Sequence, residues 1–451
     1  MDKSAVASPS KLLFLEIFTR DLSLEDCILD LLDNSVDSLI RSRNIDLSAA
    51  LLPLDTEVVT DELVKSTYSS VDVKWDENQF EIKDNCGGIS VKDAETEVFR
   101  FGHSSEASPG QLGVYGVGLK RAIFKIGTDI TIESRTKNEG WRMHIDVNDW
   151  SSKAKENDWT LPFEVIEGAG NGEDAGTTIR ITSFREEVVE RLKSGSFEGH
   201  LKEVMGRTYG LFLNRFVIAT VNGMKVIPTL VPLASSTKAN IAKKEYQDGE
   251  VMVTIYAGLA ARDAEGHWRE ADAGWYVSCN GRLVVLADKT DTTGWGSSGL
   301  PMFVPKYRGF IGMVFFRSTN PLKLPWTTTK QGLNRESLVF QNARGEMALV
   351  GRPVLTFLDN MYPTSVDRQR EAQREVAEGV TPIDVRALTV KAEETFRASV
   401  TRPRGEPTTS VQFDIKDGEL ARARKVLGRE WSARKIALHA FQHFLKTECP
   451  E

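Results

Sequence analysis

"DLLDNSVDS" (residues 30–38) sits inside the apolar run "CILDLLDNSVDSLI" (27–40), yet it carries Asp30, Asp33, Asn34 and Asp37. Those positions are spaced i, i+3, i+4 and i+7, which puts them on one face of a helix. Ile28, Leu31, Leu32, Val36 and Leu39 cover much of the remaining circumference. Ser23 with Asp26 three residues later reads as an N-cap, so the helix is expected to start there. The pattern predicts a helix packed into a core with one acidic stripe left open. A solvated surface face is the ordinary reading of such a stripe. Clustered carboxylates repel unless something cationic compensates them, and a bound metal ion would do so.

The whole chain sets bounds on what this helix can serve. Its 451 residues are enough for two or three domains with real cores, and 41% hydrophobic with 27% charged residues is ordinary for a soluble globular protein. A net charge of −7 does not advertise nucleic-acid binding, although it leaves room for a local basic patch. No apolar run reaches the length of a membrane span, and "MDKSAVASPSK" lacks a signal-peptide core, so no membrane partner is expected. Cys27, Cys86, Cys279 and Cys449 are scattered without metal-ligand spacing, which fits a reduced, cytoplasmic setting. Six histidines in no local cluster argue against a zinc enzyme.

Two later segments complement the helix. In "FEIKDNCGGIS" (80–90), Phe80 and Ile82 alternate with polar residues and predict a strand. The strand runs into a turn, Asp84-Asn85-Cys86-Gly87-Gly88. This is either a plain loop between strands or a carboxylate fixed at a strand end beside glycines that let a planar ligand approach the backbone. In "GQLGVYGVGLKRAIFKIG" (110–127), Gly110, Gly113, Gly116 and Gly118 precede a predicted helix, Leu119 to Ile126. A glycine-rich loop feeding a helix N-terminus offers backbone N–H groups and a positive dipole end to phosphate, and Lys120 adds a point charge. The loop is not a Walker loop, since no Gly-Lys-Ser/Thr has the required spacing, and not a dinucleotide fingerprint, since no predicted strand leads into it.

Taken in order, these segments resemble the GHKL ATPase superfamily, which includes gyrase-type topoisomerases, heat-shock ninety chaperones, histidine kinases, MutL and MORC proteins. The acidic helix is similar to the N-box, "DNCGGIS" to the adenine-binding motif, "GVYGVGLK" to the lid motif, and "GTTIRITS" (176–183) to the final Gly-Thr strand. The resemblance covers about the first 190 residues. It implies an α+β chain whose ATP-binding domain, residues 1–195, is a Bergerat-type α/β sandwich that uses ATP and Mg²⁺. It also implies roles for individual residues. Asn34 would ligate Mg²⁺ through its amide oxygen, and Asp84 would accept a hydrogen bond from the adenine amino group. Thr177 would support the adenine end, with Gly88 in the same nucleotide-binding set. Gly113, Gly116 and Gly118 would wrap the phosphates, with Lys120 close to them. Asp30 occupies the position of the general base that activates water.

Two residues depart from the family pattern. Many relatives carry Glu where this chain has Asp30, so the carboxylate is one methylene, about 1.5 Å, shorter. Slow turnover is expected, since a base needs hydrogen-bond reach. Asp33 lies about 60° round the helix and ranks second for that role. Cys86 stands where the adenine motif usually has Gly, and it takes φ > 0 less easily.

Residues 196–350 are expected to form an α+β transducer-like domain. "RFVIATVNGMKVIPTL" and "GWYVSCNGRLVVLA" each read as a hairpin, turning at Asn222-Gly223 and Asn280-Gly281. "EVMVTIYAGLA" and "FIGMVFFRS" read as further strands. "TTTKQGLN" (327–334) resembles the MORC and MutL-like loop whose lysine reaches the γ-phosphate of the neighbouring site, and this implies that role for Lys330. Residues 351–400 read as a charged helical linker. Residues 401–451 read as a strand (Val411, Phe413, Ile415) followed by two helices, and they resemble a ribbon-helix-helix unit. Ten Lys/Arg against seven Asp/Glu make that segment mildly basic. It would serve as a helical dimerisation tail or as a DNA contact. The resemblance as a whole implies an ATPase that forms a homodimer on Mg·ATP. Such a chain would act as a clamp on duplex DNA, in genome maintenance or anti-phage defence, or as a switch on an effector protein. A nucleotide sensor with little hydrolysis is the third reading.

Overall fold

The computed structural model describes residues 10–45, 68–100, 102, 112–113, 116–170, 175–229, 231, 233–361, 375–383, 394–399, 414–428 and 431–449. The chain divides into two compact units, Met1–Thr401 and Arg402–Glu451. None of the described helices is long and apolar enough to cross a membrane.

The acidic helix forms as its caps dictate. α2 spans Leu24–Arg43, with Ser23 accepting a hydrogen bond from the Asp26 N–H. Glu25 and Asp26 occupy the first turn and Arg41 and Arg43 the last, matching the helix dipole. Asn44 ends it in the left-handed conformation. α1 (Lys11–Arg20) precedes it, and α3 (Gly118–Ile126) packs against both.

An eight-stranded sheet accompanies these helices. Its strands are β1 (Ser69–Trp75), β2 (Gln79–Asp84), β3 (Gly127–Arg135), β4 (Glu139–Asp146), β5 (Phe163–Glu167), β6 (Gly176–Phe184), β7 (Val217–Val221) and β8 (Met224–Lys225). They lie in the order β5-β4-β3-β6-β2-β1-β7-β8. All neighbours are antiparallel except β1 and β7. Period-2 alternation buries Val71, Val73, Phe80, Ile82, Ile130, Ile132, Ile179 and Ile181 in one core with the apolar side chains of α2. The Bergerat-type α/β sandwich expected from the sequence agrees with this arrangement.

The second sheet contains β9 (Leu233–Ser235), β10 (Ala242–Asp248), β11 (Val251–Ala260), β12 (Gly274–Cys279), β13 (Arg282–Asp288), β14 (Phe310–Arg317) and β15 (Thr381–Pro382). Its order is β13-β12-β14-β11-β9-β15, with β10 paired to β11. A long helix that starts at Leu338 and ends at Asn360 packs on β11, β14 and β10. Asn280 and Gly281 both take positive φ, as do Asn222 and Gly223, so both hairpins turn as their sequences demand.

The structure differs from the sequence reading in three places. The first hairpin, β7–β8, does not join the second sheet but extends the first one beside β1, so that sheet runs past residue 195. Alternation marks a strand without naming its partner. Residues 351–400 are expected to be a helical linker, and those of them that are described are only partly helical. The long helix continues through residue 350 to Asn360, and the described remainder is one helical turn (375–378), β15, and short pieces that pair with Ala239 and Lys243. Charge-rich segments favour helix locally, and pairing with an open sheet edge overrides that preference. The acidic stripe of α2 is also not a solvated face, since Asp30, Asp33 and Asp37 are only 4%, 1% and 5% exposed.

In the C-terminal unit two helices are described, Asp417–Leu427 and Ala433–Glu448. They are separated at Gly428, as expected. Ile415 lies in irregular backbone, and Val411 and Phe413 fall outside the described residues.

Candidate functional site

α2, β2, α3, β6 and a loop between β14 and the long helix line one cleft of about 210 Å³. Asp30, Asn34, Asp84, Gly113, Gly116, Gly118, Lys120, Thr177 and Lys330 all contribute to its wall. Gly110 lies outside the described residues.

At one end the cleft is lined by Ile82, Ile89, Ile132 and Ile179 together with Asp84. Asp84 accepts hydrogen bonds from Ser35 Oγ (2.8 Å), the Cys86 N–H (2.9 Å) and the Thr177 N–H (3.2 Å). Burial raises its pKa, and these three donors oppose the rise. Thr177 Oγ1 pairs with Ser134 Oγ at 2.8 Å. Gly88 stands behind this end and not in its wall. It has φ +72°, and a Cβ there would overlap the Arg135 carbonyl oxygen. The Cys86 departure is harmless to the turn, because the positive φ values fall on Gly87 and Gly88.

The other end holds the acidic helix and the glycine loop, and each stripe residue has a different partner. Asp37 accepts the Leu112 and Gly113 N–H groups at 2.6 and 2.7 Å, which ties the glycine loop to α2. Burial pushes its carboxyl up to about 6 despite those two bonds. Asp30 accepts Nε and Nη2 of Arg121, both at 2.7 Å and both on Oδ2. Burial raises its pKa, while Lys330 and Arg121 oppose the rise.

Asn34 alone among the four has an unpaired buried polar atom, its amide nitrogen. Its oxygen faces the backbone at Gly113. An amide nitrogen with no partner among the described residues leaves this side chain uncommitted, which fits a hard cation that takes an amide oxygen. The surrounding carboxylates already hold donors, so such an ion would keep water and phosphate oxygens as its other ligands.

Asp33 has turned away from the cleft. Its Oδ2 accepts Lys330 Nζ (2.6 Å) and Arg282 Nη1 (3.1 Å), and its Oδ1 accepts the Tyr209 hydroxyl (2.5 Å). Burial alone would raise its pKa, but Arg282 and Lys330 outweigh that and hold it below the usual carboxylate range. Asp33 has no place in the cleft wall and its two oxygens hold three donors, so the structure gives its second ranking as the base no support.

Lys120 lines the cleft as well. Its Nζ donates to the carbonyls of Val98 (2.8 Å) and Arg100 (2.7 Å), and burial lowers its pKa to about 7. Lys330 reaches the cleft of its own chain from a tight loop closed by the Trp326–Leu333 bridge. It takes φ +57°, and Thr328 lines the cleft beside it. Sequence reading misses Arg121, Tyr209, Arg282 and Thr328. Arg121 could have been found as the residue after Lys120 on the same helix. Tyr209 and Arg282 lie 176 and 249 residues from Asp33 and give no local signal.

Residues 22–178 match the family model described as histidine kinase-, DNA gyrase B-, and HSP90-like ATPase. The matched segment contains α2, Asp84, the glycine loop and Thr177. The match supports the GHKL ATPase superfamily for this part of the chain, and with it ATP binding and hydrolysis at a general level. No curated protein matches the chain.

Proposed function

We propose that the chain is a slow, MORC/MutL-like ATPase that works as a conformational switch, with its second sheet acting as the transducer. One observation carries this reading: Lys330, borne by the loop between β14 and the long helix, lines the same cleft as Asp30 and Asn34. A cation placed where a terminal phosphate would lie makes the position of its loop depend on whether that phosphate is present.

The residues divide the work. Asp84 has three donors and spare lone pairs, so it can accept one more hydrogen bond from an adenine amino group. Thr177 and the isoleucine walls hold the base. Gly113, Gly116 and Gly118 let phosphates approach the backbone at the N-terminus of α3. When bound, magnesium would be held by the Asn34 amide oxygen and would offset the charge of the phosphate oxygens. Asp30 takes a proton from water as the water oxygen bonds to the terminal phosphorus. The bond from that phosphorus to the bridging oxygen breaks, and the electron pair leaves on ADP. Lys330 leaves Asp33 to meet the charge that develops.

The test is steady-state phosphate release from Mg·ATP, with and without duplex DNA, by the native chain and Lys330→Ala. Loss of about 10²–10³ in turnover with nucleotide still bound is expected for the variant. An unchanged rate would end the switch reading. Stimulation by DNA would favour a clamp, and indifference would favour an effector protein as the client. Sedimentation with a non-hydrolysable analogue reads out whether two copies close on nucleotide. A second reading, a sensor that binds ATP and barely hydrolyses it, is favoured by the short Asp30 side chain, one of whose oxygens is already held by Arg121. A rate near zero under both conditions would select it.

A further inference from the structure

Arg121 has no part in the roles above, yet it makes the closest charged contact of the proposed base. Its Nε and Nη2 both end on Asp30 Oδ2 at 2.7 Å, and among the described residues no hydrogen bond ends on Oδ1. Both side chains are buried. An aspartate on a helix keeps rotamer freedom at χ1 and χ2 unless something fixes it, and two donors from one planar guanidinium fix both angles. A lysine offers a single nitrogen and cannot do the same.

The placement of Arg121 adds a second constraint. It stands on α3, three residues after Gly118, and Gly118 itself packs on Asp30. A Cβ at Gly118 would lie 3.4 Å from the Asp30 carboxyl carbon. The helix whose N-terminus faces the phosphates therefore also sets where the carboxylate points. A shorter carboxylate depends more on such aiming than a longer one, because it has less reach to spare.

We propose that Arg121 is a positioning residue for Asp30: it holds Oδ2 and so directs Oδ1 into the cleft as the proton acceptor. The proposal rests on the reading of Asp30 as the base.

The test uses the full chain in four forms: native, Arg121→Ala, Arg121→Lys and Asp30→Asn. Turnover, KM and the affinity for a non-hydrolysable ATP analogue are measured, with a thermal melt for each. In Arg121→Ala, kcat should fall by about 30-fold or more, while KM and analogue affinity stay within about threefold. Arg121→Lys should lie between, about tenfold below the native rate. The proposal is overturned if Arg121→Ala keeps its kcat within about threefold while Asp30→Asn is inactive. It is also overturned if analogue affinity falls more than kcat, since Arg121 would then be a phosphate ligand. Should Arg121→Ala fail to fold, the lysine variant decides alone, and a native rate there rejects the aiming role. If Asp30→Asn turns over at the native rate, the base assignment itself fails, whatever the arginine variants do.

Discussion

Two helices of this chain treat their stripes in opposite ways. The helix 24–43 carries a polar stripe that reads as open to water, yet its three carboxylates are buried and partnered. The helix 433–448 carries an apolar stripe, yet Leu438, Phe441, Phe444 and Leu445 are exposed and Ile436 is its one buried residue. Periodicity states which residues share a face and leaves open what covers that face. On the first helix, charge is covered by charge that arrives from distant segments. On the second, among the described residues, nothing covers the aromatic stripe.

The largest test of this contrast is Asp33→Ala. It would strand Arg282 and Lys330 as buried cations, and a loss of about 3–5 kcal/mol in a urea melt is expected. A loss below about 1 kcal/mol, the range of a surface pair, would show that the stripe is hydrated after all. The contrast also has a pH sign. The folded carboxyl of Asp33 lies below its ordinary value, so in that interval the unfolded chain binds more protons and stability rises with pH. The gap between native and Asp33→Asn melts should be full at neutral pH and should narrow as the pH drops below the ordinary carboxylate range.

Asp30→Asn comes next. It should lower phosphate release by about 10²–10⁴-fold and leave ATP binding largely intact. Gly88→Ala follows, at a cost of roughly 1–3 kcal/mol, because a Cβ there meets the Arg135 carbonyl at a positive φ. A neutral result in a thermal melt would mean that the turn slides freely on β3. The smallest effect is expected for the double change Phe441→Ser and Phe444→Ser, whose unfolding free energy should stay within about 0.5 kcal/mol of native. A larger drop in a dilute melt would mean that the exposed stripe is covered in solution, and the contrast would close.

Much of the frame is legible because its causes are local. Ser23, Asp26 and the leucine spacing are enough to define α2, and two Asn-Gly pairs define two hairpins. The order of the motifs brings Asp30, Asn34, Asp84 and Thr177 to mind as one group, and they do line one cleft. What is not legible depends on pairing at long range. β7 could have joined either sheet. Asp33 gives no sign that its partners lie 176, 249 and 297 residues away. Thr381, Pro382, Glu394 and Ala398 fall in a stretch of helix-forming composition, yet they pair with residues of the second sheet's edge, which their own sequence does not encode.

The seam at β1 and β7 has a practical consequence for anyone who wants the nucleotide-binding half alone. A fragment cut at residue 195 would lose the strand that shields β1 and would also lose Tyr209, leaving a bare sheet edge and a buried acid with no neutralising neighbour. Such a fragment should precipitate. One extended past β8 would keep its edge covered, but without Arg282 and Lys330 its Asp33 would still lack a counterion, so full solubility is expected only when both sheets are expressed together.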